Sequence, residues 1–113
     1  MTSDLSSKHC ESCEGIGAAL NAEQIKNLMP QLNKHWEVSA DHRIIKRSLS
    51  FKDFYETMAF VNALAWIANT ENHHPDLEVG YNYCRVSFMT HALNGLSPND
   101  FICAAKMDKL LLG

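Results

Sequence analysis

The chain has no apolar run approaching the roughly 20 residues that a membrane span needs. It also has no surplus of positive charge. Its 13 acidic and 10 basic residues leave a net charge of -3, and no basic stripe interrupts the sequence. Direct nucleic-acid binding needs such a stripe against the phosphates and is disfavoured. The N-terminus, Met1-Thr2-Ser3-Asp4-Leu5, lacks the apolar core of a signal peptide, so a cytoplasmic protein is expected. Cys10, Cys13, Cys84 and Cys103 are then expected as thiols. A second Cys-x-x-Cys is missing as well. Cys10 and Cys13, with His9 beside them, offer three soft ligands where a closed zinc site takes four. Residues 1–19, rich in Ser, Glu and Gly and without periodicity, are expected as a flexible tail; a metal or redox role for this segment stays open beside that reading.

What remains is an ordinary soluble composition: 113 residues, 46% hydrophobic and 20% charged. That length makes one domain, expected over residues 20–113, which buries roughly two-thirds of its unfolded surface without a staple. Asn21, with Gln24 three residues on, caps a first helix whose stripe is Ile25, Leu28, Met29 and Leu32. Pro30 falls inside that stripe and should kink or shorten it. Trp36–Val38 and Arg43–Ser50 read as strands, the second with an ambiguous inner face because Ile45, Arg47 and Leu49 alternate imperfectly with Ile44, Lys46 and Ser48. Asp53 and Glu56 cap a second helix with Phe54, Met58, Val61, Ala65 and Ala68 on one face, widened by Phe60, Leu64 and Ile67. Leu77–Tyr81 and Tyr83–Thr90 read as further strands, the latter with Cys84, Val86, Phe88 and Thr90 on one side. Ser97, Pro98 and Asp100 open a last helix as N-cap, N1 and N3. The expected fold is α+β: a four-stranded antiparallel sheet with three helices packed on one face, in the order helix, strand, strand, helix, strand, strand, helix.

Three of the six histidines, His73, His74 and His91, fall between the end of the second helix and the end of the last strand. Imidazole titrates near neutral pH, so such a cluster suits proton transfer. Pro75 narrows the backbone of His74 and holds a bend through which both neighbours face one cavity. A zinc reading of the three fits poorly, because adjacent histidines rarely chelate one tetrahedral ion. Trp66, Tyr81 and Tyr83 offer either a wall for a flat ring or plain packing, and Asp100 is explained by capping alone.

Taken in order, Phe51-Lys52-Asp53-Phe54, Glu71-Asn72-His73-His74-Pro75-Asp76, Tyr81-Asn82, Thr90-His91, Gly95-Leu96 and Asp100 resemble the pterin-4a-carbinolamine dehydratase family. That family is also known as the dimerisation cofactor of a homeodomain transcription factor. The resemblance runs from about Glu23 to Lys109. It departs at Cys84, where valine is usual, and at Ala92-Leu93-Asn94, where a more polar loop is common. It implies His73, His74 and His91 as the active-site histidines, Asp100 as the acidic residue that follows them, and Glu71 as an acidic residue at the pterin, with Glu71, His74 and Asp100 binding substrate. The reaction implied is loss of water from 4a-hydroxytetrahydrobiopterin to give quinonoid dihydropterin, in recycling after an aromatic amino-acid hydroxylase. It needs no metal or redox cofactor. In the implied roles His73 protonates the leaving hydroxyl, His91 serves the other face or takes the ring proton, His74 holds the pterin and Asp100 orients a histidine. A homodimer or homotetramer is implied, and the alternative is a regulatory adaptor or transcriptional coactivator.

Overall fold

The computed structural model describes residues 4–112. A 3-10 turn at Leu5–Ser7 and a single helical turn, α1 (Cys13–Ile16), precede α2 (Ala22–Leu28). Asn21 and Gln24 cap α2 reciprocally: the Asn21 side chain accepts from the Gln24 N–H, and the Gln24 side chain accepts from the Asn21 N–H, both at 2.9 Å. Pro30 has no N–H to continue the helix, and the chain tightens into a 3-10 turn at Met29–Gln31. Then follow β1 (Glu37–Val38), β2 (Ile45–Ser50), α3 (Phe54–Glu71), β3 (Asp76–Val79), β4 (Tyr83–Phe88) and α4 (Pro98–Leu112). The sheet order is β1-β2-β4-β3, antiparallel throughout. The α+β architecture expected from the sequence is the one observed.

The register sets Ile45 opposite Phe88 and Leu49 opposite Cys84. Ile45, Cys84, Val86 and Phe88 are buried on one side of the sheet, under a core completed by Ile25 of α2, Phe60 and Leu64 of α3, and Phe101 and Met107 of α4. Lys46, Ser48 and Arg85 on the other side are exposed. Arg47 explains the imperfect alternation of β2. It shares the side of Ile45 and Leu49, with its guanidinium 2.6 Å from Asp108 of α4. The same carboxylate accepts the Trp36 indole N–H and the Asn33 N–H at 2.8 Å each, so the inward charge is paired.

Three expectations need correction. The buried line of α3 is Thr57, Phe60, Leu64 and Ala68, whereas Phe54 and Ala65 are exposed. An apolar pattern misses this line because its first member is polar. The Thr57 hydroxyl is satisfied by the carbonyl oxygens of Asp53 and Tyr81, 2.9 Å from each. The third strand ends at Val79 rather than Tyr81, because Gly80 turns where a Cβ would overlap the Tyr83 ring. Finally, the segment expected as a flexible tail is anchored at Leu5, Ser6, Cys10 and Glu11, although most of its described residues are exposed. Leu5 lies in the core, and Lys106 of α4 donates to the Ser6 carbonyl at 2.8 Å. Met1–Ser3 and the Cys13 side chain, both part of that expectation, lie outside the described residues.

Candidate active site

The site begins where α3 stops. Asn72 takes a left-handed conformation (φ 52°, ψ 42°), and two bonds close the helix behind it: Asn72 N–H to the Asn69 carbonyl at 3.3 Å and His73 N–H to the Ala68 carbonyl at 3.1 Å. This is the bond pattern of a Schellman motif. The helix therefore ends through Asn72, three residues before Pro75.

His73 is nearly buried. Its ring lies parallel to Phe88 of β4, 6.1 Å between centroids and 9° between planes. Its Nε2 is 2.6 Å from Oδ1 of Asp100, whose side chain is fully buried. The other carboxylate oxygen accepts from the Thr90 hydroxyl at 2.8 Å and the Ser97 N–H at 2.9 Å. A relay supports that grip: Asn99 N–H donates to Ser97 Oγ at 3.2 Å, and Ser97 Oγ is 2.7 Å from Thr90 Oγ1. Asp100 is therefore both a helix-capping residue and the partner of a histidine. Because it acts as acceptor throughout, the His73 proton is assigned to Nε2, and Nδ1 is the nitrogen left for exchange with a ligand.

The other expected residues are placed differently. His74 is exposed, with Nε2 3.0 Å from Asn69 Oδ1. His91 opens a 3-10 turn at His91–Leu93 and lies 3.8 Å from Asp76, both side chains largely in solvent. Such an exposed pair is worth little in stability. Glu71 is nearly buried and occupied by its own chain. Cys10 N–H donates to Oε1 at 2.7 Å, His9 Nδ1 is 2.9 Å from Oε2, and Lys106 Nζ is 3.8 Å away. Burial pushes its pKa up, but the Cys10 N–H, His9 and Lys106 outweigh this and hold it below the usual glutamate range.

A cleft of about 380 Å³ opens beside His73, lined also by Cys10, Glu11, Ser12, Glu71, Asn72 and Asn99. His74 and His91 are not among its lining residues. The structure thus joins His73 to Asp100 and leaves His74 and His91 on separate neighbours. The aromatic wall is not assembled either: Tyr81 stacks on Phe54, Tyr83 lies under Arg85, and Trp66 lines an apolar groove with Ile67 and Leu110. Sequence reasoning places the Ser97 N–H on the Asp100 carboxylate as a cap, and misses the Thr90 hydroxyl that donates to the same oxygen.

Comparison with known proteins shows the family. The family model described as pterin 4 alpha carbinolamine dehydratase matches residues 18–110. A Legionella pneumophila (strain Corby) protein named as a pterin-4-alpha-carbinolamine dehydratase is 85% identical over 99% of both chains. A protein of the same name from Nitrosomonas eutropha is 55% identical over 96% of this chain and 95% of its own. Among solved structures, a transcriptional coactivator/pterin dehydratase from Brucella melitensis superposes with a TM-score of 0.76 at 29% identity, covering 81% of this chain and 97% of that one.

Proposed function

The chain belongs to the pterin 4 alpha carbinolamine dehydratase family and is an enzyme of that activity; from this premise we propose that it dehydrates 4a-hydroxytetrahydrobiopterin by histidine acid-base catalysis. The reaction breaks the C4a–O bond and removes the N5 proton, leaving water and the quinonoid dihydropterin. Hydroxide leaves poorly, so the departing oxygen wants a proton. His73, in its imidazolium form, supplies it from Nδ1 and is left neutral, while Asp100 holds the ring through the Nε2–H. The single observation that carries this assignment is the 2.6 Å contact of His73 with Asp100, itself fixed by Thr90 and Ser97. A positioned acid or base of this kind contributes about 100- to 10,000-fold.

His91, exposed at the strand end, accepts the N5 proton or serves the opposite face of the ring. His74 holds and polarises the pterin. Glu71, with both oxygens engaged, acts through the protein and not on the substrate. The physiological setting we assign is tetrahydrobiopterin recycling in the cytoplasm after an aromatic amino-acid hydroxylase. No helix among the described residues is long and apolar enough to cross a membrane. A homodimer or homotetramer is supported by exposed Tyr55 and Trp66 on α3.

The test follows carbinolamine decay by stopped-flow absorbance with wild-type, His73→Ala and His91→Ala proteins. His73→Ala is expected to lose at least about 100-fold in kcat. Full activity in both folded variants overturns the assignment. The Brucella melitensis protein is named a transcriptional coactivator as well as a dehydratase, which favours a regulatory adaptor as the second reading. A pure adaptor predicts no acceleration by the wild-type protein either.

A further inference from the structure

Glu71 offers its carboxylate to His9 and Cys10 of its own chain, and that choice has a geometric result. Leu5 is buried in the core, Cys10 N–H bonds Glu71, and Glu11 is clamped twice by Asn99: its N–H donates to Oδ1 at 2.9 Å and its carbonyl accepts from Nδ2 at 2.7 Å. The Cys10 and Cys103 sulfurs lie 3.6 Å apart. Both clamping side chains border the catalytic pair. Glu71 stands two residues before His73 on the end of α3, and Asn99 immediately precedes Asp100 at the start of α4. The segment thus bridges the two elements whose meeting sets the His73–Asp100 contact, and it walls the cleft beside His73. Its anchors lie within the residues that the family model matches, whereas the segment precedes residue 18.

We propose that Leu5–Ser12 is a strap that Glu71 and Asn99 clamp across α3 and α4, making the strap a positioning element for His73; this rests on the dehydratase reading above. Glu71 and Asn99 are positioning residues, not substrate ligands. A catalytic pair displaced by about 1 Å can lose about 100-fold in rate, so a bridge with one end in the core and the other hydrogen-bonded to both helices is placed to matter.

Trypsin reports the strap directly, because Lys8 is exposed between the Leu5 and Cys10 anchors. Three variants are compared with wild type: Glu71→Ala, Glu71→Gln, whose amide oxygen still accepts from Cys10, and Cys10→Pro, which removes that N–H, and with it the thiol's contact to Cys103, from the strap side. In Glu71→Ala and Cys10→Pro, cleavage after Lys8 is expected to accelerate at least about 10-fold, with kcat falling about 10-fold at little change in KM. The His73 ring signals in a proton-carbon NMR spectrum are expected to shift with them, and Glu71→Gln to recover most of each effect. Faster cleavage with unchanged His73 signals and kcat overturns the proposal. So does an unaltered cleavage rate in Glu71→Ala with a raised KM, which makes Glu71 a pterin ligand. A wild-type protein unable to dehydrate the carbinolamine sinks the parent reading alone, since the proteolysis and ring-signal arms still decide whether the strap holds His73.

Discussion

At the scale of single residues the site is a matter of which lone pair is already taken. Asp100 has no solvent exposure, and its oxygens are shared among His73, Thr90 and Ser97. Asp100→Asn keeps the shape but sets an amide N–H against groups that themselves donate, and kcat should fall about 100-fold in the stopped-flow assay, in line with the loss of one positioned acid-base group. Thr90→Val leaves the carboxylate one donor short and should cost about 1–3 kcal/mol of stability by urea unfolding. Glu71 gives a pH signature. Its pKa in the folded protein is depressed, so its stabilising contribution is fully present above the unfolded value of about 4.3 and disappears as pH falls through the lower folded value. The difference in urea midpoint between wild type and Glu71→Gln should therefore shrink as pH falls below about 4, and a difference that grows there contradicts this account.

Among elements, α3 does most to aim the site, through the residue that ends it rather than its apolar face. A left-handed conformation costs a non-glycine residue about 1–2 kcal/mol, a cost that asparagine relieves. Asn72→Gly should be neutral or stabilising, and Asn72→Ala should lose about 1 kcal/mol by urea unfolding and disturb His73 with it. The caps were legible in the sequence because they depend on neighbours: Asn21 with Gln24, Asp53 with Glu56, Ser97 with Asp100. The face of α3 was legible only in part, since Thr57 enters the buried line by way of a carbonyl 24 residues ahead. His73 and Asp100 were legible as candidates, and the resemblance gave Asp100 a histidine to orient without saying which. His74 and His91 share the motif, yet they stand on other partners in this chain. The strap was invisible for a physical reason: its bonds run from backbone groups to side chains more than 60 residues away, and no periodicity announces such a contact.

For the whole molecule, what matters is which surface is left uncovered. Tyr55 and Trp66 project from α3, and Trp66 borders the apolar groove toward Leu110 of α4. If that face joins copies of the chain, Trp66→Glu should yield a smaller species by analytical ultracentrifugation while the circular dichroism spectrum is preserved; an unchanged sedimentation coefficient removes α3 from the interface. The strap has a temporal consequence as well. Lys106 reaches Ser6 across a separation of 100 residues, and Asn99 reaches Glu11 across 88. During synthesis Leu5–Ser12 leave the ribosome well before Asn99 and Lys106 do, so the strap reaches its berth only after α4 has been made, and its docking belongs to the slow, long-range part of folding.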